Sequence, residues 1–259
     1  MTRQSGLLVL LGLLLGGHAA AAPNEGKCTE AAYAVVGKHL KIEEFASRRQ
    51  GGSVIAESCK TLPNDGDLML SAFAYDAGVE GQKQIIVAVI NRKSKRVVSS
   101  YKKDVDEDAI TEVGEYSLKL DTAPYQLAAD MRAYGVRFRS SARGASCGEA
   151  RSGDELTLFV PEGRKLRPVL SLDMYQQRLI QGCIGAATGS DIWREASLTI
   201  EIADSVAHGF HDLRATARIS VDGNVETAPR VKVAVQHHIL RYDGKSYKTG
   251  KSIPWWLGN

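Results

Sequence analysis

Ser197-Leu198-Thr199-Ile200-Glu201-Ile202 alternates apolar and polar side chains along its whole length. A period of two marks a strand with one buried face. After a break at Gly209, Leu213-Arg214-Ala215-Thr216-Ala217-Arg218-Ile219 alternates again. Asp222-Gly223-Asn224 supplies turn chemistry, since Gly and Asn tolerate positive φ. Val231, Val233 and Val235 share one face of the next strand, and Ile239 to Tyr242 leads into Asp243-Gly244. Asp-Gly between apolar runs predicts a hairpin with a type I′ turn, which needs positive φ at both central positions.

A fainter copy of residues 197–248 lies at 117–168, about 80 residues upstream. Ser117-Leu118-Lys119-Leu120-Asp121 corresponds to Ser197-Leu198-Thr199-Ile200-Glu201. The stretch from Arg132 to Phe138 corresponds to Leu213 to Ile219, and Leu156 to Lys165 to His238 to Tyr247, with Gly163 in the place of Gly244. A shorter third copy starts at Leu68. The alternative to a true repeat is the strand–turn–strand spacing common to antiparallel proteins. The expected fold is mainly β: antiparallel β-meander repeats, propeller-like or a curled sandwich, of about ten to twelve strands, with one N-terminal α-helix.

Working outward to the start of the chain, residues 1–21 read as a secretory signal. Arg3 gives the positive end, Leu7 to Leu15 the apolar core, and Ala19-Ala20-Ala21 a small-residue cleavage site. The apolar run is too short for a membrane-spanning helix, and no later stretch approaches that length. The expected product is an exported protein, periplasmic or secreted. Its domains are an N-terminal helix with a stapled segment, 22–62, and a β-rich domain, 63–259. Four cysteines, Cys28, Cys59, Cys147 and Cys183, form an even set in such a context and predict disulfides. Of three possible pairings, Cys28 with Cys59 and Cys147 with Cys183 close moderate loops and are preferred. The helix is expected over Thr29 to Arg48, capped by Thr29, with Ala32, Val35, Val36, Leu40 and Phe45 as its apolar stripe, ended by Gly51-Gly52.

The net charge of +3, with acids and bases interspersed, excludes a nucleic-acid footprint. Asn64-Asp65-Gly66-Asp67 reads as a turn, because Leu68-Met69-Leu70 follows at once and no calcium loop completes itself. Asp104, Asp106, Glu107 and Asp108 read as a solvated loop or a first helical turn.

Candidate binding residues cluster after Asp121-Thr122-Ala123-Pro124-Tyr125. Arg132 can pair with Asp121 or Asp130, Arg137 and Arg139 fall on one strand face, and Arg143 flanks the following loop. A row of guanidiniums reads carboxylates or phosphates. Its alternative is cross-strand ion pairing. The loops holding Cys147 and Cys183, tied together, form a second candidate surface. Trp255 and Trp256 in the tail either close a core or serve as an exposed anchor.

No Gly-x-Ser-x-Gly elbow, His-Glu-x-x-His pair or phosphate-cradling Gly loop occurs in the sequence. His208, His211 and Asp212 are the remaining catalytic candidates, as metal ligands or as members of a triad. His237 and His238 point to opposite faces of a strand. No metal and no cofactor is implied.

The segment Asp121 to Tyr125, with Arg132 to Arg137 and Leu166-Arg167-Pro168-Val169-Leu170, resembles uncharacterised exported proteins of Gram-negative bacteria. Gly209 to Leu213 and Leu240 to Tyr247 resemble blades of FG-GAP-type β-propellers, although the alternating Asp calcium loop of those repeats is absent. The resemblance implies a β-repeat fold and brings no activity with it. The expected function is a non-enzymatic periplasmic binding protein with a protein partner, in the form of an inhibitor or immunity protein masking an envelope-directed hydrolase. The alternatives are a periplasmic hydrolase of an envelope polymer and a structural envelope-assembly protein.

Overall fold

The computed structural model describes residues 26–63, 65–144, 148–182, 191–222, 233–249 and 253–257. The signal-like segment, Cys147, Cys183, the Gly223-Asn224 turn and Val231 lie outside the described residues. The chain is mainly β. One helix, α1 (Glu30–Leu40), precedes strands β1 (Val54–Leu62), β2 (Asp65–Tyr75), β3 (Gln82–Asn91) and β4 (Arg96–Asp106). Next come β5 (Leu118–Asp121), β6 (Gln126–Ala128), β7 (Met131–Arg132), β8 (Tyr134–Phe138), β9 (Ala150–Glu162) and β10 (Lys165–Gln181). The last four are β11 (Ile192–Ala207), β12 (Phe210–Asp222), β13 (Ala234–Tyr242) and β14 (Tyr247–Lys248).

Three antiparallel meanders share one curled sheet: β1-β2-β3-β4, β5-β8-β9-β10 and β11-β12-β13-β14. The second and third are the stretches that echo one another in sequence. The long strand β10 is the joint. One edge pairs with β9 along its length. The other edge meets β4 in parallel at Lys165 and Ser100, then pairs with β11 from Tyr175 onward. The mainly antiparallel β fold expected from the sequence is present, as one large continuous sheet that does not close into a barrel.

Burial follows the period of two. Leu70, Ala72 and Ala74 of β2 and Ile85, Val87 and Val89 of β3 face Leu118, Leu120, Val136 and Phe159 of the middle meander. Their neighbours Phe73, Tyr75, Ile86, Ala88 and Ile90 face the opposite way, under α1. The third meander buries mainly one face. Leu198, Ile200, Leu213, Ala215, Ala217 and Leu240 line a concave core with Leu156, Leu158 and Leu172. The short β6–β7 hairpin and the C-terminal tail cap it through Tyr125, Leu127 and Trp256.

Several boundaries differ from the sequence reading. Thr29 does cap α1, its hydroxyl accepting from the Ala32 N–H at 3.3 Å. The helix ends at Leu40, however, well before Arg48. Lys41 adopts a left-handed conformation, and the Ile42 and Lys41 N–H groups donate to the Gly37 and Lys38 carbonyls. That is a Schellman cap, here without the usual glycine. The chain then folds back onto Gly37, where an added Cβ would lie 2.7 Å from the Phe45 Cβ. Phe45 reaches the aromatic cluster of Tyr33, Phe73 and Tyr75 by this reversal, with ring centroids 5.3 Å from both Phe73 and Tyr75. The Cys28–Cys59 disulfide staples the start of α1 to β1, as expected.

Asp65 to Asp67 belongs to β2, so the turn sits earlier, between Leu62 and Asp65. The acidic run is half strand: Asp104 and Asp106 accept from Gln84 and Gln82 across β3–β4, each at 2.8 Å. The Asp243-Gly244 connection is not type I′. It is a four-residue loop with only Gly244 at positive φ, closed by the Asp243 carboxylate accepting from the Lys245 and Ser246 N–H groups. The turn with positive φ at both central positions is His208-Gly209, at 50° and 85°, between Ala207 and Phe210.

Candidate binding cleft

The β5–β6 connection sets one wall of a cleft. Asp121 ends β5, and its Oδ1 accepts from the Ala123 N–H at 3.1 Å, turning the chain toward Pro124. Tyr125 and Leu127 then plunge into the core, and Ala133 N–H donates to the Tyr125 carbonyl at 2.8 Å. This clamps the β6–β7 hairpin and fixes Arg132 at the rim. The end of β1 and the β1–β2 turn, Lys60 to Pro63, form the opposite wall. Between them lies a cavity of about 180 Å³ whose apolar surface comes from Leu62, Pro63, Leu70, Leu120 and Tyr134.

The charges of the cleft differ in commitment. Asp121 is held: its Oδ2 accepts from Arg137 Nε at 3.0 Å. Arg137 also donates through Nη1 to Asp154 Oδ2 at 2.6 Å, so one guanidinium bridges two carboxylates. Burial opposes the charge on Arg137, but the two carboxylates outweigh it and hold the guanidinium above its ordinary value. Arg132, half-buried at the rim, takes part in no salt bridge among the described residues. Burial pushes the phenol of Tyr134 up, opposed by the charge of Arg132, and burial followed by the Asp121 carboxylate pushes that of Tyr125 up. The lining therefore sets the Arg132 guanidinium beside apolar walls.

The guanidinium row expected from sequence is not formed. Arg132 lines the cleft, while Arg137 serves as the internal counter-ion of Asp121, a partner the sequence reading had offered to Arg132. Arg139 and Arg143 are exposed on the segment after β8, which is tied by Ser140 and Ser141 to Ile110 and Glu112. Lys60 and Tyr134 were missed. Nothing local marks them, because the cleft exists only once the β1–β2 turn is set against β5.

The catalytic candidates are not brought together either. His208 is a turn residue whose ring lies 3.8 Å from where a Cβ on Gly244 would be. His211 donates through Nδ1 to the Ala203 carbonyl at 2.9 Å. Asp212 is buried, accepts from Ser205 Oγ at 2.7 Å, and caps the Tyr242 N–H at 3.4 Å. Adjacent strand residues face opposite ways, so His211 and Asp212 are parted by the pleat itself. Among the described residues no group of three or more His, Cys, Asp or Glu side chains is placed to hold a metal ion.

The tail resolves as packing. Trp256 is fully buried and donates from Nε1 to Gln236 Oε1 at 2.7 Å, so the anchor role does not apply to it. Trp255 stays half-buried beside the Arg178 guanidinium. His237 and His238 do face opposite ways: the first lies 2.9 Å from Thr216 Oγ1, and the second donates to the Thr249 carbonyl at 2.5 Å. No helix among the described residues is long and apolar enough to cross a membrane. Comparison with protein families, with curated proteins and with solved structures finds no match.

Proposed function

We propose that this chain is a non-enzymatic exported binding protein that receives an acidic side chain of a protein partner in the Arg132 cleft. The partner class we assign is an envelope-directed hydrolase, which the protein masks as an inhibitor or immunity protein. The observation that carries the reading is Arg132, in no salt bridge among the described residues, at an apolar-walled opening whose own carboxylate is already paired. A cavity of about 180 Å³ is smaller than the 300–1,000 Å³ of ordinary small-molecule sites, and suits one inserted side chain. Arginine in such a setting is a typical interface anchor. Export is supported by the signal-like residues 1–21 and by the Cys28–Cys59 disulfide, which suits an oxidising compartment.

The test is affinity capture from an envelope extract with the wild type and with Arg132→Glu, each checked for folding by circular dichroism. The expected result is one hydrolase captured at equal stoichiometry by the wild type, inhibited on binding, and lost by the variant. A blank at low salt, or capture that Arg132→Glu leaves unchanged, overturns the reading.

A further inference from the structure

Arg178 of β10 and Arg194 of β11 stand directly opposite one another in the antiparallel ladder. Like charges so placed repel, because opposed Cβ atoms lie only about 5 Å apart. No acidic side chain relieves the pair across either flanking strand. The residue beside Arg178 on β9 is Ala150, and the residue beside Arg194 on β12 is Val221. Neither guanidinium takes part in a salt bridge among the described residues. Arg178 lies over the face of Trp255, 5.8 Å from guanidinium carbon to ring centroid.

The next position along the same concave face adds a second, independent observation. Gln176 pairs with Ala196, so one side of this row carries only a methyl group. Gln176 is 6% exposed, and its Nε2 has no hydrogen-bond partner. A buried amide donor without an acceptor is costly, and native structures rarely leave one without a reason. Two exposed guanidiniums without an ion pair among the described residues, and an orphan donor buried beneath them, therefore stand on neighbouring rungs of one sheet face, with Trp255 over Arg178.

We propose that Arg178, Arg194 and Gln176 form a binding site for a phosphate group, with Trp255 as its wall. A phosphomonoester carries close to two negative charges at neutral pH and three acceptor oxygens. It matches two planar guanidinium forks and leaves an oxygen for the amide. The site is separate from the Arg132 cleft and does not depend on the function proposed for it.

The test is a titration of the full chain with inorganic phosphate at constant ionic strength, read by tryptophan fluorescence. The expected result is a saturable change in the wild type, weakened on the order of tenfold or more in Arg178→Gln and in Arg194→Gln. Without phosphate, both variants should melt no lower than the wild type, since each removes a repulsion. Repeating the titration with glucose 6-phosphate and with phosphatidate vesicles shows whether the group belongs to a soluble molecule or to a lipid. The proposal is overturned by a linear response, by equal affinity in all three chains, or by a lower melting temperature of both variants without phosphate, which would make the pair structural.

Discussion

The first and last meanders are built alike and covered differently. In β2 and β3 both faces are buried, one beneath α1 and one against the middle strands. In β11 and β12 burial is mainly on the concave face; Ser197, Thr199, Glu201, Arg214 and Arg218 on the other stand in solvent. The sequences record this. Gln84-Ile85-Ile86-Val87-Ala88-Val89-Ile90 is continuously apolar after its first residue, whereas Ser197-Leu198-Thr199-Ile200-Glu201 alternates. A strand with two covered faces admits a polar residue only where it is satisfied, as Ser71 is by donating to the Ala88 carbonyl, and one with a wet face has no reason to exclude it. The first meander is therefore the better covered of the two, although the last one declares itself more clearly in sequence.

Core truncation should expose that asymmetry most strongly. Phe73 is fully buried, with Tyr33 and Phe45 at centroid distances of 5.1 and 5.3 Å. Phe73→Ala is expected to cost about 3–5 kcal/mol, the range for a large aromatic removed from a packed core. Thr199→Ala, on the wet face of β11, should stay within about 0.5 kcal/mol. Urea denaturation of the two variants gives the contrast. Comparable losses would mean that the outer face of the last meander is covered in solution.

The cover over the first meander is held by a covalent staple, so the second test removes it. Cys28 and Cys59 are 31 residues apart in sequence. Replacing both by Ser should cost about 2–4 kcal/mol, mostly by freeing the unfolded chain. Urea midpoints of the double variant under non-reducing conditions separate this effect from any contribution of Cys147 and Cys183. A loss below about 1 kcal/mol would show that the Phe45 cluster alone suffices to hold the helix on its sheet.

How much of this was readable beforehand depended on how local each signal was. The strands of the third meander, the Thr29 cap and the Cys28–Cys59 pairing follow from short-range chemistry. The end of α1 was hidden because the left-handed residue is Lys41, not glycine; the space at Gly37 that admits Phe45 is a tertiary fact. The two-residue His208-Gly209 turn was legible in principle, lying between two alternating runs. Two nearby histidines and an aspartate suggested chemistry there and obscured the turn. In the cleft, Arg132 could be picked out as one of several arginines. That it alone lines the cleft depends on Arg137 taking Asp121 and Asp154, which follows from the β5–β8–β9 register. The parallel contact between β4 and β10, which continues the sheet from the first meander into the rest, rests on one residue pair and leaves no pattern at all.

The smallest effect probes where the covered meander tolerates a charge. Glu57 of β1 lies opposite Phe73, beside the stapled end of the chain, and its Oε2 is buried without a hydrogen-bond partner. Burial raises its carboxyl above the ordinary value of 4.5, against the lowering influence of the Cys28 N–H and Lys27. As pH rises through the ordinary value, the unfolded chain gives up this proton before the folded one does. The contribution of Glu57 is thus fully present below that point and is lost as pH rises through the raised folded value. Glu57→Gln keeps an acceptor for the Cys28 N–H and removes the charge. It is expected to be more stable than the wild type at pH 7, by roughly 1 kcal/mol or less. That advantage should shrink toward zero as the pH falls below the ordinary value. Urea midpoints of both chains at pH 7 and pH 4 measure it. An advantage that persists unchanged at pH 4 would trace the gain to packing, and would remove the buried charge as the weak point of the better-covered half.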